Sequence, residues 1–553
     1  MTRAVPLVVI AAAAFAAGLV IASGPGQAER QLVTSYVTAW KHGDFATMYG
    51  LLDSRSRART SLAAFRSAYT SAATTATLVS FRLGRVGQPA GDVISVPVRV
   101  QTRVFGTLSE TLAVPFTGSG SGARVRFNSG LVFPGLRPGE QLSRQVSLPP
   151  RASLLARDGT VLAEGPSLTS PIPGVAIQIA GTLGPIPAAE RATYAAAGYP
   201  SKAMVGSNGL ELVFEHQLAG TPGGTLLAGT RLLASTTPQA AAAVTTTIDP
   251  KLEVAEIAAM ANRYAGMIAM NPRNGEVLAV AGIAYSDPQP PGSTMKIITT
   301  AGALQAKIVK LGTTFPIATS ASILGYALQN ANGEACGGTL LNAFAVSCNS
   351  VFAPLGVQLG AARLVAMAEK FGFNGPPPFP GAAPSTIPSA ATIGDDLAVG
   401  SSAIGQGMVL ATPLEMAIAG ATISMGGRRP VPTFVLNQTP TFYRVTSRHV
   451  AALVQKMMIA VVQFGTGISA QIPGVLVAGK TGTAELTNTA TPTSNSSGST
   501  PANSPQNTDA WFVGYAPVGK PRIVVAALFP GQGAGGATAA PAVQQVLAAA
   551  LGR

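Results

Sequence analysis

The chain has 553 residues, 47% of them hydrophobic and only 11% charged, with a net charge of +14. That is too long for one hydrophobic core and too apolar for a disordered chain, so two to four domains are expected. The basic balance suits an anionic membrane face or wall polymer, or reflects composition alone; no basic run is interleaved with aromatics, which ranks nucleic acid last.

Arg3 precedes an apolar run from Ala4 to Ala22, about 19 residues, enough to span a bilayer with its basic end inside. Ala22-Ser23-Gly24 and Gly26-Gln27-Ala28 are weak cleavage signals, so a removable signal peptide is the other reading. No cysteine follows the run, which argues against a lipid-anchored start. Either way the body is exported, away from cytoplasmic ATP.

From Gln31 to about Phe133 the pattern is a small α+β unit. Leu32, Tyr36, Ala39, Trp40, Phe45, Met48 and Leu51 recur with helical spacing. "VISVPVRVQTRVFG" and "SETLAVPFTG" alternate as half-buried strands do. "GSGSG" at Gly118–Gly122 is a turn, because no helical pattern follows it. Pro149-Pro150 then breaks the chain, and Asp158-Gly159 predicts a hairpin. Gly206–Gly224 predicts an amphipathic helix ending in glycines. Thr245–Arg263 predicts a strand, an Asp-Pro helix start and a helix. "GMIAMNPRNGEVLAVAG" predicts two strands around Asn274-Gly275. "SNSSGSTPANSPQ", Ser494–Gln506, is a polar low-complexity loop tip. "DAWFVGYAP" and "PRIVVAALFP" predict strands, and "PAVQQVLAAALGR" a closing helix.

The two cysteines, Cys336 and Cys348, can form a disulfide in an exported protein or stay as buried thiols; the bridge is favoured. The three histidines, His42, His216 and His449, lack metal-ligand spacing, and no metal or other cofactor is expected.

Three short motifs can carry chemistry. Pro291-Gly292-Ser293-Thr294-Met295-Lys296 opens an apolar helix, placing Ser293 and Lys296 on one face, about 5–6 Å apart at their β-carbons. A serine needs a base to become a nucleophile, and a lysine is a base only when neutral. Burial, a second cation and a helix N-terminus all lower its pKa. Ser347-Cys348-Asn349 supplies a hydroxyl that can relay a proton and an amide that can hold a substrate carbonyl or a lysine. Lys480-Thr481-Gly482-Thr483 is the third. Gly474–Thr481 also fits a phosphate-loop pattern, but its spacer, Val475-Leu476-Val477-Ala478, reads as a strand and no helix follows Lys480. The nucleotide reading therefore fails on context. On an edge strand, Lys480 and Thr481 can bind a carboxylate, Gly482 leaves room for substrate backbone, and the amides of Ser293 and Thr483 can form an oxyanion hole.

"PGSTMK", "SCN" and "KTGT", in this order, resemble the motifs of penicillin-binding transpeptidases. "PRASLLARDGTVLA", "GLELVFEHQLAGTPGG", "TTTIDPKLEVAE", "MNPRNGEVLAV", "AIGQGMVLATPLEMA" and "DAWFVGYAP" extend the likeness from Pro150 to the C-terminus. The N-terminal unit, through "AWKHGDF" and its element pattern, is similar to the nuclear-transport-factor-two-like domain of methicillin-resistance-type transpeptidases.

The resemblance implies a multidomain α+β protein: an anchor or signal segment (1–30), that small cone-shaped α+β domain (31–135), a β-rich pedestal or dimerisation-like domain (136–240), and an α/β/α β-lactamase-like transpeptidase domain with an antiparallel sheet (241–553). It implies Ser293 as acylated nucleophile, Lys296 as its base and Ser347 as proton shuttle. Asn349 would hold the donor peptide, and Lys480 and Thr481 the carboxylate of D-alanyl-D-alanine. Cys348 should point away from the site. The expected partners are the stem peptide, β-lactams, the membrane through a single N-terminal span, and wall-synthesis machinery. The alternatives are a D,D-carboxypeptidase or β-lactamase-type hydrolase, or a non-catalytic β-lactam-binding scaffold. The roughly 200 residues between anchor and catalytic domain favour a wall-synthesis enzyme, monofunctional because no room is left for a glycosyltransferase module.

Overall fold

A computed structural model describes residues 26–486 and 507–553. The N-terminal apolar run and the Ser494–Gln506 loop tip lie outside the described residues. The chain divides into two compact units that interleave: one holds residues up to Arg151 with Pro185–Met204 and Ala219–Ala241, the other Ala152–Gly184, Val205–Leu218 and Ala242–Arg553.

In the first unit the helix Gln27–Lys41 buries Leu32, Val33, Tyr36, Val37 and Trp40. The helix Leu62–Thr75 is capped by the Ser61 hydroxyl, which accepts from the Ala64 amide. Both pack on a sheet whose strand Val93–Thr102 turns Ile94, Val96, Val98 and Val100 inward and the residues between them to water. Two buried tyrosine hydroxyls, of Tyr36 and Tyr69, satisfy each other at 2.6 Å. A second sheet joins Leu142–Ser147, Gly223–Ala228 and Arg231–Thr236.

The second unit is built on five antiparallel strands: β1 (Gly266–Met270), β2 (Val277–Gly282), β3 (Ala478–Glu485), β4 (Thr508–Ala516) and β5 (Ile523–Phe529), in the order 2-1-5-4-3. Asp249 caps helix α1 (Pro250–Met260) through the Lys251 amide, as the Asp-Pro signal predicts. Helix α2 (Lys296–Gln305) follows a 3₁₀ turn at Gly292–Met295. Helices α3 (Asn349–Leu359), α4 (Pro413–Ser424), α5 (Arg448–Gln463) and α6 (Ala539–Leu551) complete the layers used below. Strand alternation sorts the sheet between two cores. Ile268, Trp511, Val513, Tyr515 and Leu528 face α2, α4 and α5. Met267, Ala510, Phe512, Val525 and Phe529 face α1 and α6. The antiparallel sheet of the expected α/β/α layering is therefore covered on both faces.

The helix expected across Gly206–Gly224 is two short pieces, Gly209–Val213 and Glu215–Leu218. Phe214 leaves helical geometry between them, and the buried Glu215 carboxylate turns back to accept from the Gly206 amide at 2.8 Å. Among the described residues no single helix is long and apolar enough to cross a membrane. The bent apolar pair Asn349–Leu359 and Ala361–Phe371 contributes Phe352, Leu355, Leu364 and Phe371 to the second unit's core.

Candidate active site

The three motifs, distant in sequence, meet at one end of α2. Ser293 lies in the 3₁₀ turn, half-buried, while Lys296 opens the helix and is wholly buried. The Lys296 Nζ lies 2.7 Å from the Ser347 carbonyl, 2.7 Å from Asn349 Oδ1 and 3.3 Å from Ser347 Oγ. From β3, the buried Lys480 Nζ donates to the same Ser347 Oγ at 2.9 Å and to its neighbour's carbonyl, Thr481 O, at 2.9 Å. One hydroxyl thus stands between two lysines.

Both ammonium groups sit in apolar surroundings, Lys296 5.5 Å from the Phe352 ring and Lys480 5.6 Å from the Phe344 ring. Burial holds the Lys296 pKa well below its ordinary value, and the neighbouring Lys480 lowers it further. Burial lowers Lys480 to about 7. The two causes acting on Lys296 are therefore burial and a second cation, and that cation comes from the third motif.

Ser347 adopts a left-handed backbone conformation, φ 65°, unfavourable for a serine. Its neighbours hold it there: Cys348 is buried, donates its amide to Ala343 O at 2.9 Å, and is bonded through sulfur to Cys336 on the strand Cys336–Thr339. Asn349 begins α3. Of the two uses open to its amide, the structure shows the lysine: Oδ1 accepts from Lys296, and Nδ2 donates to Gln329 O at 2.8 Å.

β3 is the sheet edge. Leu486 donates to Asn507 O across the ladder, and antiparallel pairs alternate in hydrogen bonding. Counting back through the register, Ala484, Gly482 and Lys480 bond to β4, so the amides of Thr483 and Thr481 point to the open edge. Side chains alternate independently of this. Lys480 and Gly482 face the Ser293 turn, and Thr481 and Thr483 face the other way, toward Thr466 and Gly535.

Gly482 has a structural reason that its spacing in the motif did not show. A β-carbon there would lie 2.7 Å from Pro291 O and 3.1 Å from Thr294 Cγ2, so its missing side chain makes room for the Ser293 turn. Gly292 repeats the contact from the other side, with Thr483 O 2.7 Å from its would-be β-carbon. Two glycines therefore press the Ser293 turn against the strand that carries Thr483.

The family model for the penicillin-binding protein transpeptidase domain matches residues 265–548, and that for the penicillin-binding protein dimerisation domain matches 171–232. The chain belongs to the penicillin-binding transpeptidase family. It is 33% identical to the peptidoglycan D,D-transpeptidase PbpA of Mycolicibacterium smegmatis over 376 residues, 56% of this chain and 72% of that protein. Against PbpA of Mycobacterium tuberculosis it is 36% identical over 296 residues, 48% of this chain and 56% of the relative. The crystal structure of the M. tuberculosis protein superposes with a TM-score of 0.57 at 27% identity, covering 73% of this chain and 99% of that one. Its imipenem acyl-enzyme superposes at 0.58 with 26% identity and the same coverage.

Two contributors to this transpeptidase-family site were missed in the sequence. Gly405, within "AIGQGMVLATPLEMA", accepts the Gly292 amide at 2.9 Å and comes so close to Gly292 O that no side chain fits. Thr466, on the loop after α5, places its hydroxyl 2.5 Å from that of Thr481. A conspicuous glycine in a quoted motif signalled the first. Nothing in the local sequence signalled the second.

Proposed function

We propose that this chain is a serine D,D-transpeptidase that cross-links peptidoglycan stem peptides and is acylated by penicillins. The observation that carries the reading is the Ser347 hydroxyl held between two desolvated lysines, one of which, Lys296, is one turn on from Ser293. A neutral amine has two N–H groups and one lone pair. The two 2.7 Å acceptors of Lys296, Ser347 O and Asn349 Oδ1, use both N–H groups and leave the lone pair for the Ser293 proton.

Ser293 Oγ then attacks the penultimate D-alanine carbonyl as Lys296 takes its proton. The developing oxyanion lies between the amides of Ser293 and Thr483, the second of which points to the open edge. Ser347 passes the proton on to the departing D-alanine amine while Lys480 donates to its oxygen. The second N–H of Asn349 serves the donor peptide, and Lys480 with Thr481 binds the terminal carboxylate. An amine of a neighbouring stem peptide reverses the sequence. A β-lactam presents the same carbonyl and carboxylate but keeps its leaving group tethered. The apolar run Ala4–Ala22 holds the enzyme at the membrane as a single span, with the catalytic unit outside the cytoplasm beside the wall-synthesis machinery.

Intact mass after penicillin exposure should show one adduct, absent in Ser293→Ala; an adduct retained by that variant would overturn the nucleophile. Purified lipid-linked precursor, assayed beside β-lactam hydrolysis, should give cross-linked product and negligible turnover of antibiotic. Hydrolysis without cross-linking would instead establish a hydrolase.

A further inference from the structure

The residues assigned to the carboxylate above are one ammonium and one hydroxyl, yet a carboxylate offers about four lone-pair positions. The surroundings of Thr481 supply another donor. Thr466 follows α5 on the tight loop Phe464–Gly467 and is solvent-exposed, whereas Thr481 is buried. The Thr466 hydroxyl is nevertheless turned away from bulk water onto Thr481 Oγ1 at 2.5 Å. Its backbone is fixed from both sides: the Thr466 amide donates to Ala345 O at 3.1 Å and the Gly467 amide to Val461 O at 2.9 Å. Gly465 allows this approach, since a β-carbon there would lie 2.2 Å from Ala345 O. The Lys480 Nζ is 3.5 Å from Thr481 Oγ1, so ammonium and two hydroxyls form one continuous row.

We propose that Thr466 is a specificity-determining residue that completes, with Lys480 and Thr481, a receptor for the terminal carboxylate of the acyl donor. This rests on the reading of Lys480 and Thr481 as the carboxylate site. The hydroxyls spend their hydrogens within the row or on Ala345 O, 3.4 Å from Thr466 Oγ1. When a carboxylate arrives, each rotates about its Cβ–Oγ1 bond and donates to one carboxylate oxygen, while the ammonium serves both. An ester or amide at that end gives a poorer acceptor and no charge for the row to meet, so the row discriminates free C-termini from blocked ones.

The test uses the full chain in detergent and compares acylation by benzylpenicillin with acylation by its methyl ester, in which only the carboxylate is blocked. Thr466→Val should slow benzylpenicillin by about tenfold to a hundredfold, the value of one hydrogen bond to a charged group. It should leave the slow methyl ester reaction unchanged, and Thr466→Ser should restore discrimination. Equal slowing of both probes, or of neither, would overturn the assignment. Thr481→Val separates the two levels of the argument. If it lowers the preference for the carboxylate and Thr466→Val does not, Thr466 alone is wrong. If neither lowers it, the carboxylate reading falls with it.

Discussion

Two antiparallel sheets in this molecule are built on opposite plans. The sheet of the first unit has one dry face: along Val93–Thr102 every second residue is buried and the others meet water. The sheet of the catalytic unit is dry on both faces, and all nine residues of β4 are buried. The first plan makes a stable platform at little cost in sequence constraint. The second creates an interior into which a strand can carry a lysine and strip it of water. A half-exposed strand leaves its lysines hydrated and charged. The chemistry therefore depends on the double layer as much as on the motifs.

The sharpest way to break this comparison is to remove the desolvated base. Lys296→Ala should lower penicillin acylation by about three to four orders of magnitude while the fold persists, read by stopped-flow acylation and circular dichroism. A small effect would mean that desolvation of this lysine has no catalytic purpose. Truncation tests the layers directly. Phe512→Ala on β4 should cost about 3–5 kcal/mol in chemical denaturation, because that residue faces the α1–α6 layer.

Just above neutral pH, the pH dependence of stability should come from the buried lysines of the catalytic unit. Lys480 titrates near 7 when folded against 10.5 when free. Between these values the unfolded chain binds more protons, so stability rises with pH across that window. The rise is on the order of 5 kcal/mol for a shift of this size. Lys480→Met should reduce the slope to the part left by Lys296, which burial also lowers, and raise stability at neutral pH; an undiminished slope would mean Lys480 is hydrated. The smallest expected effect completes the contrast: Arg99→Ala, on the wet face of the first sheet, should change stability by no more than about 0.5 kcal/mol.

Much of this was readable beforehand because the signals are local. Alternation gave the strand Val93–Thr102, the Asp-Pro start gave α1, and Ser-x-x-Lys implied a shared helix face. The second cation beside Lys296 was not readable, since 183 positions of chain separate it from Lys480 and only strand order unites them. The packing of Gly482 against the Ser293 turn was unreadable for the same reason: spacing shows that a side chain is missing, not what occupies the space. Thr466 is one threonine among many, and its meaning lies wholly in the 2.5 Å contact with Thr481. The break at Phe214 escaped notice because apolar periodicity continues through it while the backbone does not.

The open edge of β3 has one more consequence. An unpaired strand edge is a liability in any soluble protein, a template on which a foreign strand can grow, and natural sheets usually blunt theirs with charge, proline or a covering loop. On the proposed mechanism the remedy is closed off, because the amides that would have to be hidden are the ones that would receive the donor peptide. The strand is flanked instead by the Ser293 turn, which packs against it at Gly482. On that mechanism the acyl donor would be a temporary sixth strand. A substitution that weakened β-lactam docking by sealing the edge would close it to the wall peptide as well, so escape by that route is self-limiting.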